Sequence, residues 1–250
     1  MMCGIVLCSI NASLEGVGHR EEDGRNSRIM SKIEKHLKLI CSRLNIFQSC
    51  IIEDAKKFFR RLFREISPQQ NATVLHNMFR HRKKYLAYCL IETLKQHKVP
   101  RPEEEVCFYS ETTPQAIALI ARKTNIPSIY SPPVDYVGRI RQMLQLPFCL
   151  EKYIIAACKR QGQRHGMRKP EVVTCACICL VIEELNRMAS PLPPLIVNIN
   201  ELQKMFYVSK SSIQNLMQVM KQTGEVDAIR NQLDRDHDFL LSRMKRRVKC

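Results

Sequence analysis

Apolar residues recur at helical spacing along most of the chain. From Ser27 onward, isoleucine and leucine return every three or four positions, at Ile29, Ile33, Leu37 and Ile40. Such a stripe is typical of the buried face of an amphipathic helix, and Ser27 can cap its start. Runs of alternating β-branched residues are few, glycine occurs 8 times and tryptophan is absent. The pattern predicts an all-α protein.

The same spacing predicts ten helices in two groups of five. The first group covers 27–45, 49–67, 82–98, a short helix after Pro102, and 112–125. The second group covers Asp135–Leu146, Leu150–Arg164, Pro170–Arg187, Asn200–Phe206 and Ser209–Gln222. Three prolines lie in the stretch between the groups, which favours a linker there. The third helix of each group has few charges in its middle, as expected of a helix surrounded by others.

Two pairs of segments indicate an internal repeat. "FYSETTPQAIALIARK" from Phe108 and "FYVSKSSIQNLMQVMK" from Phe206 share a Phe-Tyr pair, a capping turn and an amphipathic helix. "RKKYLAYCLIETL" from Arg82 resembles "RKPEVVTCACICLVIEEL" from Arg168. Chance similarity between amphipathic helices is the alternative, and the matching order of five helices argues against it. We therefore predict a mobile arm (1–27), a first repeat (28–126), a linker (127–134), a second repeat (135–223) and a basic C-terminal helix or tail (224–250).

Charge favours a polyanionic partner. The chain has 40 Lys and Arg against 24 Asp and Glu, a formal net charge of +16. Basic side chains that neutralise phosphates release counterions, so nucleic acid is one such partner, whereas a solvated basic surface is the alternative. The basic groups that could follow a DNA backbone are Lys56, Lys57, Arg60, Arg61 and Arg64, then Arg80, Arg82, Lys83 and Lys84, and the tail "SRMKRRVKC". The chain contains no stretch of about 18 apolar residues, so we expect no membrane span.

Cysteine and histidine spacing gives no sign of an active site. Most of the 12 cysteines lie in apolar helical stretches, which favours a reducing compartment over a disulfide framework. Alternate residues on a helix diverge by about 200°, so Cys175, Cys177 and Cys179 cannot share one metal-binding face. We expect them to be small buried side chains. His76, His81, His97 and His165 have no Cys or Asp partner at catalytic spacing, and a glycine-rich phosphate loop is absent. We predict no enzyme activity and no cofactor.

Residues 198–220 have the pattern of a helix-turn-helix. Asn198 or Asn200 can cap the first helix and Ser209 the second, while Ile213, Leu216, Met217 and Met220 form its inward stripe. Glutamine and asparagine can pair with adenine, lysine can bind phosphate, and a helix N-terminus favours a phosphate. An αα-corner without a ligand is the alternative. The candidate DNA-binding residues are Lys210, Ser211, Ser212, Gln214, Asn215 and Gln218, with Arg164, Arg168 and Lys169 before the second uncharged helix.

These segments together resemble the cyclin-fold core of the transcription factor IIB family. The resemblance is carried by "AYCLIETLKQHKVPRPEEEVCFYS", by Arg168-Lys169-Pro170 leading into "VVTCACICLVIEEL", and by the helix-turn-helix, within about 28–222. The 12 cysteines and the lack of tryptophan resemble the viral branch of this family that serves cytoplasmic replication. The resemblance implies promoter-reading positions at Ser211, Gln214 and Gln218. Relatives often carry arginines there, so this chain should differ in base preference.

The resemblance implies two tandem five-helix cyclin-like repeats and a role without catalysis. The expected partners are promoter DNA, a TATA-binding-protein-like factor and multisubunit RNA polymerase, with the chain itself a monomer. The site of action would be the host cytoplasm for a viral protein or the nucleus for a cellular one. The family's zinc ribbon needs four ligands, whereas only Cys3 and Cys8 are close together, so zinc is expected only if a ribbon precedes this sequence. The alternatives are a cyclin-like kinase regulator, which the charge disfavours, and a viral protein that binds nucleic acid nonspecifically.

Overall fold

The chain is all-α in the residues that the computed structural model describes, which are 20–66, 72–124, 126–164, 168–188 and 194–248. This part contains thirteen α-helices and no strand, which confirms the prediction of an all-α protein. None of these helices is long and apolar enough to cross a membrane. The helices are α1 (Arg20–Arg43), α2 (Ser49–Ile66), α3 (Ala72–Arg80), α4 (Arg82–Gln96), α5 (Glu103–Tyr109), α6 (Pro114–Lys123), α7 (Val134–Met143), α8 (Glu151–Arg164), α9 (Pro170–Arg187), α10 (Ile199–Phe206), α11 (Lys210–Gln222), α12 (Glu225–Arg235) and α13 (His237–Val248).

In the first half of the chain, five helices pack around α4. Every residue of α4 from Leu86 to Leu94 is buried, because α1, α2, α3, α5 and α6 all contact this helix. The buried carboxylate of Glu92 accepts hydrogen bonds from Lys95 Nζ at 2.7 Å, Ser128 Oγ at 2.9 Å and the Ile129 amide at 2.8 Å. These bonds attach the segment after α6 to α4. One hydrophobic cluster, from Ile33 to Ile126, therefore occupies the first half of the chain.

The second half packs around α9 in the same manner. Fourteen residues of α9 between Glu171 and Leu185 are buried, and the helix contacts α7, α8, α11 and α12. The second hydrophobic cluster runs from Tyr136 to Met244, so it continues past residue 223 into α12 and α13. The low charge in the middle of both central helices follows from this burial, since an unpaired charge there would be costly.

Two pairs of left-handed residues occupy matching turns in the two halves. Asn45 follows α1 with φ 55°, and Gln145 follows α7 with φ 53°. In both turns the next amide closes the helix end, from Ile46 to the Cys41 carbonyl at 2.8 Å and from Leu146 to the Arg141 carbonyl at 2.9 Å. Glu111 and Tyr207, each with φ 53°, stand two residues before the N-caps of α6 and α11. The two halves therefore share backbone geometry at two corners.

The N-caps of α6 and α11 correct the sequence alignment of this repeat. Counted from the caps Thr113 and Ser209, buried residues fall at the same distances, Ile117 and Ile120 in α6 and Ile213 and Leu216 in α11. In that register Phe206 corresponds to Ser110, and the two Phe-Tyr pairs are not equivalent. Phe206 is 1% exposed, whereas Phe108 is 67% exposed. The two halves therefore share the start of this helix in three dimensions, whereas the Phe-Tyr pairs match only in sequence.

One helix boundary differs from the predicted one, and one helix was not predicted. α1 begins at Arg20 rather than Ser27, because "REEDGRN" has no apolar residue to mark it as helical. α3 was not predicted, since nine residues give too few turns for a periodic pattern. The other nine of the ten predicted helices begin and end within a few residues of their predicted bounds, whereas the predicted C-terminal helix or tail (224–250) forms two helices, α12 and α13. The predicted arm also includes residues 1–19, which lie outside the described part.

Acid should weaken the contact between α1 and α2 through Glu34. Hydrogen bonds from Lys38 and Lys56, together with their charges, lower the Glu34 pKa from 4.5 to about 2. A carboxyl group whose pKa is lowered by folding stabilises the fold at pH values above its ordinary pKa. This contribution to stability disappears as pH falls from 4.5 toward 2. We expect wild type to be more stable than Glu34→Gln at pH 7 and the difference to vanish near pH 2, as measured by urea unfolding. Glu65→Gln, at an exposed position of α2, should show no such convergence.

Candidate nucleic-acid interface

Side-chain caps fix the start of both helices in the predicted helix-turn-helix. Asn198 accepts a hydrogen bond from the Asn200 amide at 3.0 Å, so Asn198 is the cap of α10. Ser209 Oγ accepts one from the Ser212 amide at 3.0 Å and caps α11, as predicted. Tyr207 ends α10 in the left-handed conformation. The turn therefore has a defined geometry.

The two faces of α11 separate as the pattern predicted. Ile213, Leu216 and Met220 are buried against the second cluster. Ser212 is half-buried, and its hydroxyl accepts a hydrogen bond from Ser209 Oγ at 2.6 Å. We call the exposed side the α11 face, which consists of Lys210, Ser211, Gln214, Asn215 and Gln218. It offers amide and hydroxyl donors and acceptors with one positive charge and no carboxylate.

The turn before α11 lies against a charged junction between the halves. Arg139 of α7 donates a hydrogen bond from Nη2 to Glu105 Oε1 of α5 at 2.6 Å. The same guanidinium lies over the Phe206 ring, 5.6 Å from its centroid. Burial raises the pKa of Tyr207, and the charge of Glu105 adds to this rise. The junction therefore holds the end of α10, which in turn sets the start of α11.

Lys169 lies at the same junction, where it forms an ion pair with Glu104 of α5. Burial lowers the pKa of Lys169, but the hydrogen bond and charge of Glu104 outweigh this effect and raise it. Lys169 is thus a charged group already held by a carboxylate. A phosphate would compete with Glu104 for it, which weakens the predicted contact.

Arg164 and Arg168 are better placed than Lys169 to bind phosphate. Both are exposed and neither has an ion-pair partner within the described part of the chain. Arg164 ends α8 and Arg168 precedes α9, with residues 165–167 between them outside the described ranges. They remain candidates for backbone contacts.

The basic helix α2 is partly neutralised. Lys56 pairs with Glu34 at 2.8 Å and Glu53 at 3.0 Å, and Lys57 pairs with Asp54 at 2.8 Å. In the next group Arg82 stacks on Phe79, 5.0 Å from the centroid, and Lys83 pairs with Glu111. The exposed basic residues of α2 that lack an ion pair in the described structure are Arg60, Arg61 and Arg64. Of the tail's basic side chains, only Arg243 is described.

Sequence reasoning missed Arg139 and Glu105. Arg139 stands next to the inward stripe of α7, beside Ile140, and Glu105 precedes the buried Val106. A charged residue beside an apolar stripe was the available signal, but it could not identify the partner, because the two residues are 34 positions apart.

Cysteine and histidine side chains do not assemble a metal site in the described residues. Cys175, Cys177 and Cys179 are all buried, as expected of small core residues. A hydrogen bond with Cys158 and burial raise the pKa of Cys177 well above its usual value. His97 has an Asp partner that its sequence spacing did not show, since its Nε2 lies 3.0 Å from Asp54 Oδ2. Cys3, Cys8 and His165 lie outside the described ranges.

The α11 face is the described surface that gathers most of the predicted site residues. Its five side chains lie on one exposed side of a capped helix, and the junction formed by Arg139 and Glu105 holds the preceding turn. Comparison with known proteins assigns no function to this surface. No protein-family model matches the chain, and no curated protein sequence matches it either.

Proposed function

We propose that this chain is a factor-IIB-like basal transcription initiation factor built from two cyclin-like repeats. In this proposal it binds promoter DNA and bridges a TATA-binding-protein-like factor to multisubunit RNA polymerase. The observation that supports it best is the α11 face, in which exposed amides and hydroxyls line a Ser-capped helix without a carboxylate. A surface of this chemistry suits base edges and phosphates better than it suits an acidic protein.

The spacing of the α11 face suits a helix lying in the major groove. Ser211, Gln214 and Gln218 are separated by three and four residues, so they form one stripe along the helix. A glutamine side chain can donate to adenine N7 and accept from its N6 amino group. The free amides of the first turn of α11, with Lys210, can bind a phosphate at the groove edge.

The matching helix of the first half lacks this chemistry. Counted from the caps, α6 has Ala118 and Leu119 where α11 has Gln214 and Asn215. Leu119 is 55% exposed. An alanine and a leucine cannot form paired hydrogen bonds with a base, so base readout is proposed for the second half alone.

Phosphate contacts would supply most of the affinity. The chain has a net charge of +16, and the exposed Arg164 and Arg168 have no carboxylate partner within the described residues. Binding through such groups falls with salt because counterions are released. The α11 face lacks arginine, which makes the strongest contacts with guanine, so we expect modest discrimination between sequences.

Gln214→Ala is expected to reduce sequence discrimination by about tenfold, because a paired contact with a base contributes about 1–3 kcal/mol. A preferred duplex is first selected from a randomised library with the wild-type chain. Its affinity and that of a scrambled duplex are then measured by fluorescence anisotropy over a salt series, with and without a TATA-binding-protein-like factor. Arg168→Ala should instead weaken both duplexes equally and reduce the salt slope by about one.

Gln115→Ala is the matched control, since Gln115 is exposed near the start of α6 and should leave discrimination unchanged. Equal affinity of the wild-type chain for every duplex would leave only nonspecific nucleic-acid binding. Failure to bind duplex at moderate salt would exclude the proposed role altogether.

A further inference from the structure

 The corner between α7 and α8 forms a groove with α13. The groove itself has a volume of about 790 Å³, against about 390 Å³ for the cleft beside Lys169 at the junction between the halves. We call it the Phe148 groove, and its lining includes Arg141, Pro147, Phe148, Lys152, Phe239 and Arg243. It shares no residue with the α11 face, so the two surfaces could bind different partners.

Two exposed phenylalanines form the walls of the Phe148 groove. Phe148 is 74% exposed and Phe239 is 47% exposed. Leu146 and Pro147 also line the groove and are buried, and Ile155 is half-buried. Large apolar side chains that remain exposed around a concavity are typical of a surface that binds a partner.

Cations lie over both rings. The Arg141 guanidinium lies 5.1 Å from the Phe148 centroid, while Lys152 and Arg243 lie 5.0 and 5.5 Å from the Phe239 centroid. Arg141 pairs with Glu151 at 2.7 Å, and Lys152 pairs with Asp236. Arg243 has no carboxylate partner within the described residues. The groove therefore combines apolar walls with one positive charge that no carboxylate balances.

We propose that the Phe148 groove binds a segment of a partner protein in which apolar anchor side chains are flanked by carboxylates. The anchors would pack between the two phenyl rings, and a carboxylate would pair with Arg243. A nucleic-acid strand fits less well, because two of the three cations are already paired and the one that remains cannot neutralise successive phosphates. This proposal does not depend on promoter binding by the α11 face.

The test begins with a display library of random peptides of about twelve residues, selected on the full chain. We expect enriched peptides to contain aromatic or aliphatic residues next to Asp or Glu. With one enriched peptide labelled for fluorescence anisotropy, Phe148→Ser and Arg243→Glu should each lower its affinity by about tenfold or more. Unchanged thermal unfolding of both variants would show that the loss is local.

Phe47→Ser is the matched control. Phe47 is 79% exposed in the corresponding corner between α1 and α2, and no cation lies over its ring in the described structure. It should bind the peptide as wild type does. The proposal is overturned if no peptide is enriched, if the enriched peptides lack carboxylates, or if Phe148→Ser binds normally. Displacement of the peptide by an oligothymidine strand would assign the groove to nucleic acid instead.

Discussion

Replacing Glu225 by alanine is expected to lower the free energy of unfolding by about 3 kcal/mol. Glu225 begins α12 and is 2% exposed. Its Oε1 accepts hydrogen bonds from Arg160 Nε at 2.9 Å and Nη2 at 2.6 Å, and its Oε2 accepts one from Gln161 Nε2 at 2.5 Å. One carboxylate thus attaches α12 to α8.

The loss of stability comes mainly from Gln161 and Arg160, which remain buried or partly buried without their carboxylate partner. Gln161 is fully buried, and its Oε1 has no hydrogen-bond partner, so removal of Glu225 would leave its amide without one as well. A buried polar group left unsatisfied costs about 1–3 kcal/mol. The Arg160 side chain is 34% exposed and can be partly rehydrated, which keeps the total near the lower end of the range for a broken buried ion pair.

Asp227→Ala provides the control within the same helix. Asp227 is 73% exposed and lies 3.5 Å from Arg230, so its removal should cost less than about 0.5 kcal/mol. Unfolding of wild type and both variants in guanidinium is monitored by far-ultraviolet circular dichroism at one pH. Equal stability of the two variants would mean that the Glu225 contacts contribute no more than a surface ion pair.

The features that sequence predicted are those that depend on neighbours along the chain. The burial of Ile213, Leu216 and Met220 follows from spacing within α11, and the cap at Ser209 follows from one residue type at one position. The burial of α9 on all sides follows from its lack of charge between Thr174 and Ile182. Each of these properties can be read within one helix.

The features that sequence missed depend on distant residues. Arg160 and Glu225 are 65 positions apart, and Arg139 and Glu105 are 34 positions apart. With so many charged residues in the chain, no rule of spacing can select such pairs before the helices are packed. For the same reason the sequence analysis named Lys169 as a candidate DNA-binding residue without its partner, and packing places it beside Glu104.

Arg139→Ala is expected to lower the free energy of unfolding by about 3 kcal/mol and to reduce sequence discrimination by α11. The Arg139 side chain is 16% exposed and that of Glu105 is 12% exposed, so the variant leaves a largely buried carboxylate without its partner. It also removes the guanidinium that packs on Phe206. Guanidinium unfolding and the selected and scrambled duplexes provide the two measurements.

The double variant Glu105→Ala with Arg139→Ala separates the two effects. Removing both charges should recover about 1 kcal/mol or more relative to Arg139→Ala alone, because no unpaired carboxylate remains. Discrimination should not recover, since the contact with Phe206 is still absent and the start of α11 is no longer held by α7. Restored discrimination in the double variant would contradict this prediction. It would mean that the unpaired charge of Glu105 displaces α11 in the single variant, and that the packing of Arg139 on Phe206 does not position this helix.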